Sequence, residues 1–155
     1  MLRLTVWWFC WWFLSINTVL LAYHLHNPFH RGLLAIIAIW LLWLITRCCS
    51  SALVGFCRED MRGDRRWQAR LGSPAIPSLG SARMHYTLTF WLWWGIVVFG
   101  GITTLPMTVM GHRIIFSVGL VVALALATHI RGHAAVDLYR AAAMNAAARR
   151  VGAGD

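Results

Sequence analysis

Residues 4–23 read LTVWWFCWWFLSINTVLLAY, a stretch without one charged side chain. A helix that crosses a bilayer needs about 20 mostly apolar residues, because the hydrocarbon core is about 30 Å thick. Three further apolar runs follow: Gly32–Thr46, Thr87–Leu105 and Ile114–Ile130. The second run reaches spanning length if its helix continues past Arg47 to Phe56, with the arginine extended toward the headgroups. All four runs are continuous, which predicts helices rather than the alternating strands of a membrane barrel.

The composition of the whole chain agrees with a lipid environment. Of its 155 residues, 59% are hydrophobic and 12% are charged, whereas soluble domains carry about 25% charged residues. The net charge is +9, and every basic residue is arginine. Abundant Arg, Ala, Gly and Trp are typical of a GC-rich bacterial genome. We therefore expect a multi-pass protein of the bacterial inner membrane.

The arginines predict how the four helices are oriented. Cytoplasmic segments next to membrane spans carry an excess of basic residues. Six arginines lie within residues 58–86 and four follow the fourth run, and the N-terminus adds Arg3 and its amine, whereas the other two connectors hold one arginine each, Arg31 and Arg113. In a four-helix topology the three basic segments fall on one side. Both termini are therefore predicted to be cytoplasmic, with two short loops outside.

This topology divides the chain into four parts. Residues 1–57 form a first transmembrane hairpin, 58–86 a basic cytoplasmic connector, 87–130 a second hairpin and 131–155 a cytoplasmic tail. Within the connector, Gly72–Gly80 is rich in Pro, Ser and Gly and is predicted to be an irregular loop. The Ala-rich tail favours a helix that continues the fourth span and ends near Gly152.

The two predicted hairpins resemble each other in one register. Adding 82 to a position in the first half gives a similar residue in the second: Trp11-Trp12 gives Trp93-Trp94, and His30-Arg31 gives His112-Arg113. Thr46 likewise gives Thr128, and no gap is needed. Because both copies would start on the inside, the sequence predicts a parallel repeat rather than the inverted repeat of many transporters.

Nine of the ten tryptophans lie in halves of the runs that this topology places toward the cytoplasm. Interfacial tryptophans anchor helices, because their rings are amphipathic. The pattern therefore predicts an anchoring belt, although Trp11 lies deeper in its run than a belt requires.

Histidine is the one enriched residue type with metal chemistry. His24, His26, His30 and His112 fall on the predicted outer side, with Met107 and Met110 nearby. Imidazole and thioether ligands together favour copper. The alternative is a haem held by His30 and His112, which the repeat relates to each other, or by His85 and His129 on the inner side. Polar interfacial histidines without a ligand are the plainer interpretation.

The apolar runs contain no Asp, Glu or Lys, and the sequence holds no phosphate-binding loop or hydrolase motif. The four cysteines form no CxxC motif. These observations favour a non-enzymatic structural or assembly subunit of a larger membrane complex. Its expected partners are lipids, other membrane subunits and a cytoplasmic protein bound by the Arg-rich connector and tail, without nucleic acid. A haem- or copper-binding redox subunit and a small oligomeric channel are the alternative functions.

Overall fold

The computed structural model describes residues 2–25, 27–63, 77–104 and 110–151. This part of the chain consists of helices and short turns, with the following bounds: α1 Leu2–His24, α2 Pro28–Gly63, α3 Leu79–Thr104 and α4 Met110–Val151. Each helix contains a segment long and apolar enough to cross a membrane. The all-α class and the four candidate spans predicted from the sequence are thus confirmed.

Polar side chains fix where α2 and α3 begin. The Asn27 side chain accepts a hydrogen bond from the Phe29 amide at 2.9 Å, and Pro28 takes the first helical position. Before α3, the Ser78 side chain accepts one from the Ser81 amide at 3.2 Å. This cap starts α3 at Leu79, so the helix is longer than the apolar run that predicted it. Leu79 and Gly80, assigned to an irregular loop, are helical.

The helices pack in three main pairs: α1 on α2, α3 on α4, and α2 on α4. The α3–α4 contacts join Trp93 to Thr128 and Gly100 to Leu120, so these helices are antiparallel. Contacts between α2 and α4 run from Thr46–Thr128 to Leu53–Gly132, so the residue numbers rise along both helices. The parallel helices α2 and α4 therefore form the centre of the bundle.

Small residues allow the close approaches in these pairs. A Cβ atom at Gly100 would lie 2.4 Å from Leu120 Cδ1, and one at Gly132 would lie 2.6 Å from Leu53 Cδ1. The buried residues of α4 include a series at alternating spacings of three and four, as in a coiled coil: Leu124, Ala127, Arg131 and Ala134. Small residues also recur at four-residue spacing on α4, at Gly119, Ala123 and Ala127, of which the first is exposed and the last is buried.

The tryptophans that the structure describes range from largely exposed to fully buried. Trp40 and Trp91 are 61% and 66% exposed on the lateral surface, where lipid would surround them. Trp11 and Trp93 are 0% exposed and belong to the central core with Leu42 and Leu124. For these two residues the anchoring-belt prediction was wrong, because their rings face the α2–α4 pair instead of the outside of the bundle.

Candidate functional site

A line of four hydrogen-bonded side chains crosses the middle of the bundle. Trp11 Nε1 donates to Thr46 Oγ1 at 3.3 Å, and Trp93 Nε1 donates to Thr128 Oγ1 at 3.2 Å. The two threonine oxygens lie 3.3 Å apart. All four helices are joined at this level, since each contributes one residue. Both indole N–H groups thereby find an acceptor in an otherwise apolar core, as buried polar groups require.

One turn beyond this line, on α4, Arg131 is surrounded by aromatic rings. Its guanidinium carbon lies 4.3 Å from the ring centre of Tyr86, 4.8 Å from that of Trp43 and 5.7 Å from that of Phe90. The residue is only 4% exposed. We call Arg131, Tyr86, Trp43 and Phe90 the arginine cage. It combines residues from α2, α3 and α4, and Arg131 is the one charged side chain among the buried residues that the structure describes.

The arginine cage leaves one buried N–H group of the guanidinium without an acceptor. Arg131 Nη1 donates to the Tyr86 carbonyl at 3.4 Å, and the Tyr86 side chain also interacts with the guanidinium, whereas Nε is buried without a partner. The same carbonyl accepts the Thr89 hydroxyl at 2.8 Å and lies within a helix whose amide four residues on is its usual donor. A carbonyl has two lone pairs, so the Arg131 bond is a weak third one.

The charge of Arg131 is also unbalanced within the described part of the chain. The ion pair found there joins Arg140 to Asp137 at 3.9 Å, and no carboxylate pairs with Arg131. Contact with an aromatic face stabilises a cation by about 0.5–2 kcal/mol, whereas burying an unpaired ion costs several kcal/mol. The rings alone do not offset that cost.

Sequence reasoning missed the arginine cage, since Arg131 counted only as one of the basic residues that orient the helices. A signal was present: Arg131 follows Thr128 by three residues and so lies on the same helical face. Tyr86, Phe90 and Trp93 likewise share one face of α3. The sequence does not show which helices pack together, so it could not bring the faces of α3 and α4 into one site.

The predicted outer metal site stays a prediction. His24 and His30 lie at the facing ends of α1 and α2, and both are exposed. His26 and the side chain of His112 lie outside the described residues. Among the residues that are described, no three His, Cys, Asp or Glu side chains converge on one point. Of the histidines predicted to lie on the inner side, His129 and His133 are exposed, one turn apart on α4, with their rings 4.6 Å apart.

An apolar groove of about 520 Å³ lies between α1 and α4, toward the end where α1 finishes. It is lined chiefly by Ile16, Leu20, Val118 and Val122, with His24 at its margin. Its walls carry almost no polar surface, so the groove suits a hydrocarbon chain rather than a polar substrate.

No family model, curated protein or solved structure matches the chain. The function is therefore argued from the geometry above.

Proposed function

We propose that the chain is a structural or assembly subunit of a larger complex in a bacterial inner membrane, with four transmembrane helices and both termini in the cytoplasm. The observation that carries this proposal is the length of the two central helices. At 1.5 Å per residue, α2 with 36 residues is about 54 Å long and α4 with 42 residues about 63 Å. Both exceed the roughly 30 Å hydrocarbon core of a bilayer.

The parts of α2 and α4 that exceed the bilayer thickness would project from the same side, because the two helices are parallel. The distribution of arginines along the chain supports a cytoplasmic location for that side. On the last turns of α4 the exposed residues are small or basic: Ala142, Ala146, Ala147, Ala148 and Arg149. A smooth helical surface with a positive end suits contact with an acidic segment of another subunit. We call this segment, 142–149, the α4 projection.

We also propose that the chain consists of two helical hairpins, 1–57 and 87–130, related as a parallel repeat. The hydrogen bonds Trp11–Thr46 and Trp93–Thr128 support this, since both partners are displaced by the same 82 positions. Leu42 and Leu124, a further pair in that register, are each 6% exposed. A pseudo-twofold axis would then pass between Thr46 and Thr128.

The assembly function is tested by native electrophoresis of membranes solubilised in mild detergent. We expect the full chain to migrate well above its 17.5 kDa plus a detergent micelle. Ala142 and Ala146 share one side of the α4 projection, so Ala142→Glu with Ala146→Glu is compared with Ala148→Glu on a different side. If one variant loses the slowly migrating band of the complex and the other keeps it, a protein contact on one side of the α4 projection is supported.

Migration of the wild-type chain as a monomer, unchanged in either variant, would contradict the assembly function. A Soret band or stoichiometric copper in the purified protein would favour the redox alternative instead. The orientation has a separate test: a fluorescent protein that matures only in the cytoplasm, fused after Asp155, is expected to be bright.

A further inference from the structure

We propose that the arginine cage binds a phosphate-class oxyanion, and that its depth favours the headgroup of an anionic phospholipid as the source. The first ground is unused hydrogen-bonding capacity. Arg131 is more than nine-tenths buried, and its Nε has no hydrogen-bond partner. The Tyr86 carbonyl that accepts from Arg131 Nη1 also accepts from the Thr89 hydroxyl. A planar guanidinium with free donors matches the oxygens of a phosphate, which it can bind with two parallel hydrogen bonds.

Local charge provides the second ground. No carboxylate pairs with Arg131 among the residues that the structure describes. An oxyanion next to Arg131 would balance its positive charge and supply the missing acceptor for Nε at the same time. The guanidinium carbon lies over the rings of Tyr86 and Trp43, so the ligand would bind through the N–H groups of the guanidinium.

Depth in the bilayer provides the third ground, and this step rests on the orientation proposed above. The fourth candidate span begins at Ile114, and Arg131 follows it by a helical length of about 26 Å. In a hydrocarbon core about 30 Å thick, that distance places the arginine cage near the cytoplasmic headgroups. The phosphates of anionic lipids lie at that level and are concentrated in the cytoplasmic leaflet.

Thermal unfolding of the purified full chain in an uncharged detergent tests the proposal. The melting temperature is followed by tryptophan fluorescence while phosphatidylglycerol, phosphatidylcholine or inorganic phosphate is added. We expect phosphatidylglycerol to raise the melting temperature of the wild type. In Arg131→Met the apparent affinity should fall roughly tenfold or more, as loss of charge-assisted hydrogen bonds implies. The matched control is Arg83→Gln, an exposed arginine on α3, which should respond like the wild type.

The probes separate the two sources of the oxyanion. A shift with phosphatidylglycerol alone identifies the headgroup, and an Arg131-dependent shift with inorganic phosphate identifies a free anion. Equal responses of the wild type and Arg131→Met would overturn the proposal, because the exposed arginines would then account for binding. No response of the wild type to any probe would overturn it too and would leave a carboxylate from another protein as the partner.

Arg131→Lys is a second variant that keeps the proposal testable if Arg131→Met does not fold. It keeps the charge and loses the fork of donors, so we expect a folded protein with weakened lipid affinity. A wild-type affinity in this variant would exclude the paired hydrogen bonds. Failure of these tests would leave the assembly function untouched, since that function is judged by complex size and by the α4 projection.

Discussion

The two sides of the α2–α4 pair carry different residues at positions that are 82 apart in the sequence. Arg131, one turn after Thr128, is 4% exposed, and Cys49, one turn after Thr46, is 2% exposed. The other residues of the arginine cage differ from their counterparts in this register, which are Leu4 for Tyr86, Trp8 for Phe90 and Ala125 for Trp43. One site holds a charged guanidinium among aromatic rings, and the other holds a thiol.

The tryptophan–threonine pairs are the same on both sides, and at either pair the loss of one threonine would leave a buried indole N–H unsatisfied. One turn away, a thiol on one side and a guanidinium on the other are both buried. The neighbours differ as well: Trp43 lies against Arg131, and the residue 82 positions after Trp43 is Ala125. In the proposed repeat, the shared pairs would form the common frame and the residues one turn away would differ between the halves.

The largest effect is expected from removing the tryptophans that the two sides share. Trp11→Ala and Trp93→Ala should each lower the free energy of unfolding by about 3–5 kcal/mol, the usual cost of emptying a buried aromatic site. Chemical unfolding in mild detergent measures this, with Trp91→Ala as the control because Trp91 is 66% exposed. A large loss for only one of the two core variants would break the equivalence of the halves.

A smaller effect is expected from the threonines. Thr46→Val and Thr128→Val keep the side-chain shape and leave an indole N–H without its acceptor, which should cost about 1–3 kcal/mol each. Because both variants break the same Thr46–Thr128 contact, the double variant should cost less than the two losses added together. Unfolding of all four proteins gives the coupling free energy. Strict additivity would show that the two hydroxyls do not interact.

The smallest effect concerns the close approaches. Gly132→Ala should destabilise by about 1 kcal/mol, since the new methyl group must displace Leu53. Gly119→Ala, with open space around it, should be neutral or stabilising by up to about 1 kcal/mol from helix propensity. Gly132 and Leu53 correspond to Ser50 and Ala135, so Gly132→Ser with Leu53→Ala copies the other half and should recover much of the loss. Melting temperatures decide whether it does.

Much of the fold could be predicted from the sequence because it depends on local properties. Apolar length identified the four helices, and the Ala-rich composition of the tail predicted a helix to near Gly152; α4 is helical as far as Val151, the last residue that the structure describes. The start of α3 was predicted too late, since Ser78 caps the helix ahead of its apolar part. Hydropathy does not register such a cap.

The arginine cage could not be predicted in this way. Whether an arginine next to a span is solvated or buried depends on the faces that surround it, and these belong to α2 and α3. Trp11 was also misjudged from its residue type alone. An amphipathic ring suggested the membrane–water interface, whereas the indole N–H of Trp11 bonds to Thr46 inside the bundle.

The Thr46–Thr128 contact has a consequence at the level of single protons. Each hydroxyl has one hydrogen, so one threonine donates across the contact and the other must direct its hydrogen elsewhere, ordinarily to a carbonyl one turn back in its own helix. Even a duplication with identical sequences would therefore be asymmetric at its centre. Either threonine can be the donor, and exchanging the two proton arrangements requires only rotation of two hydroxyl groups.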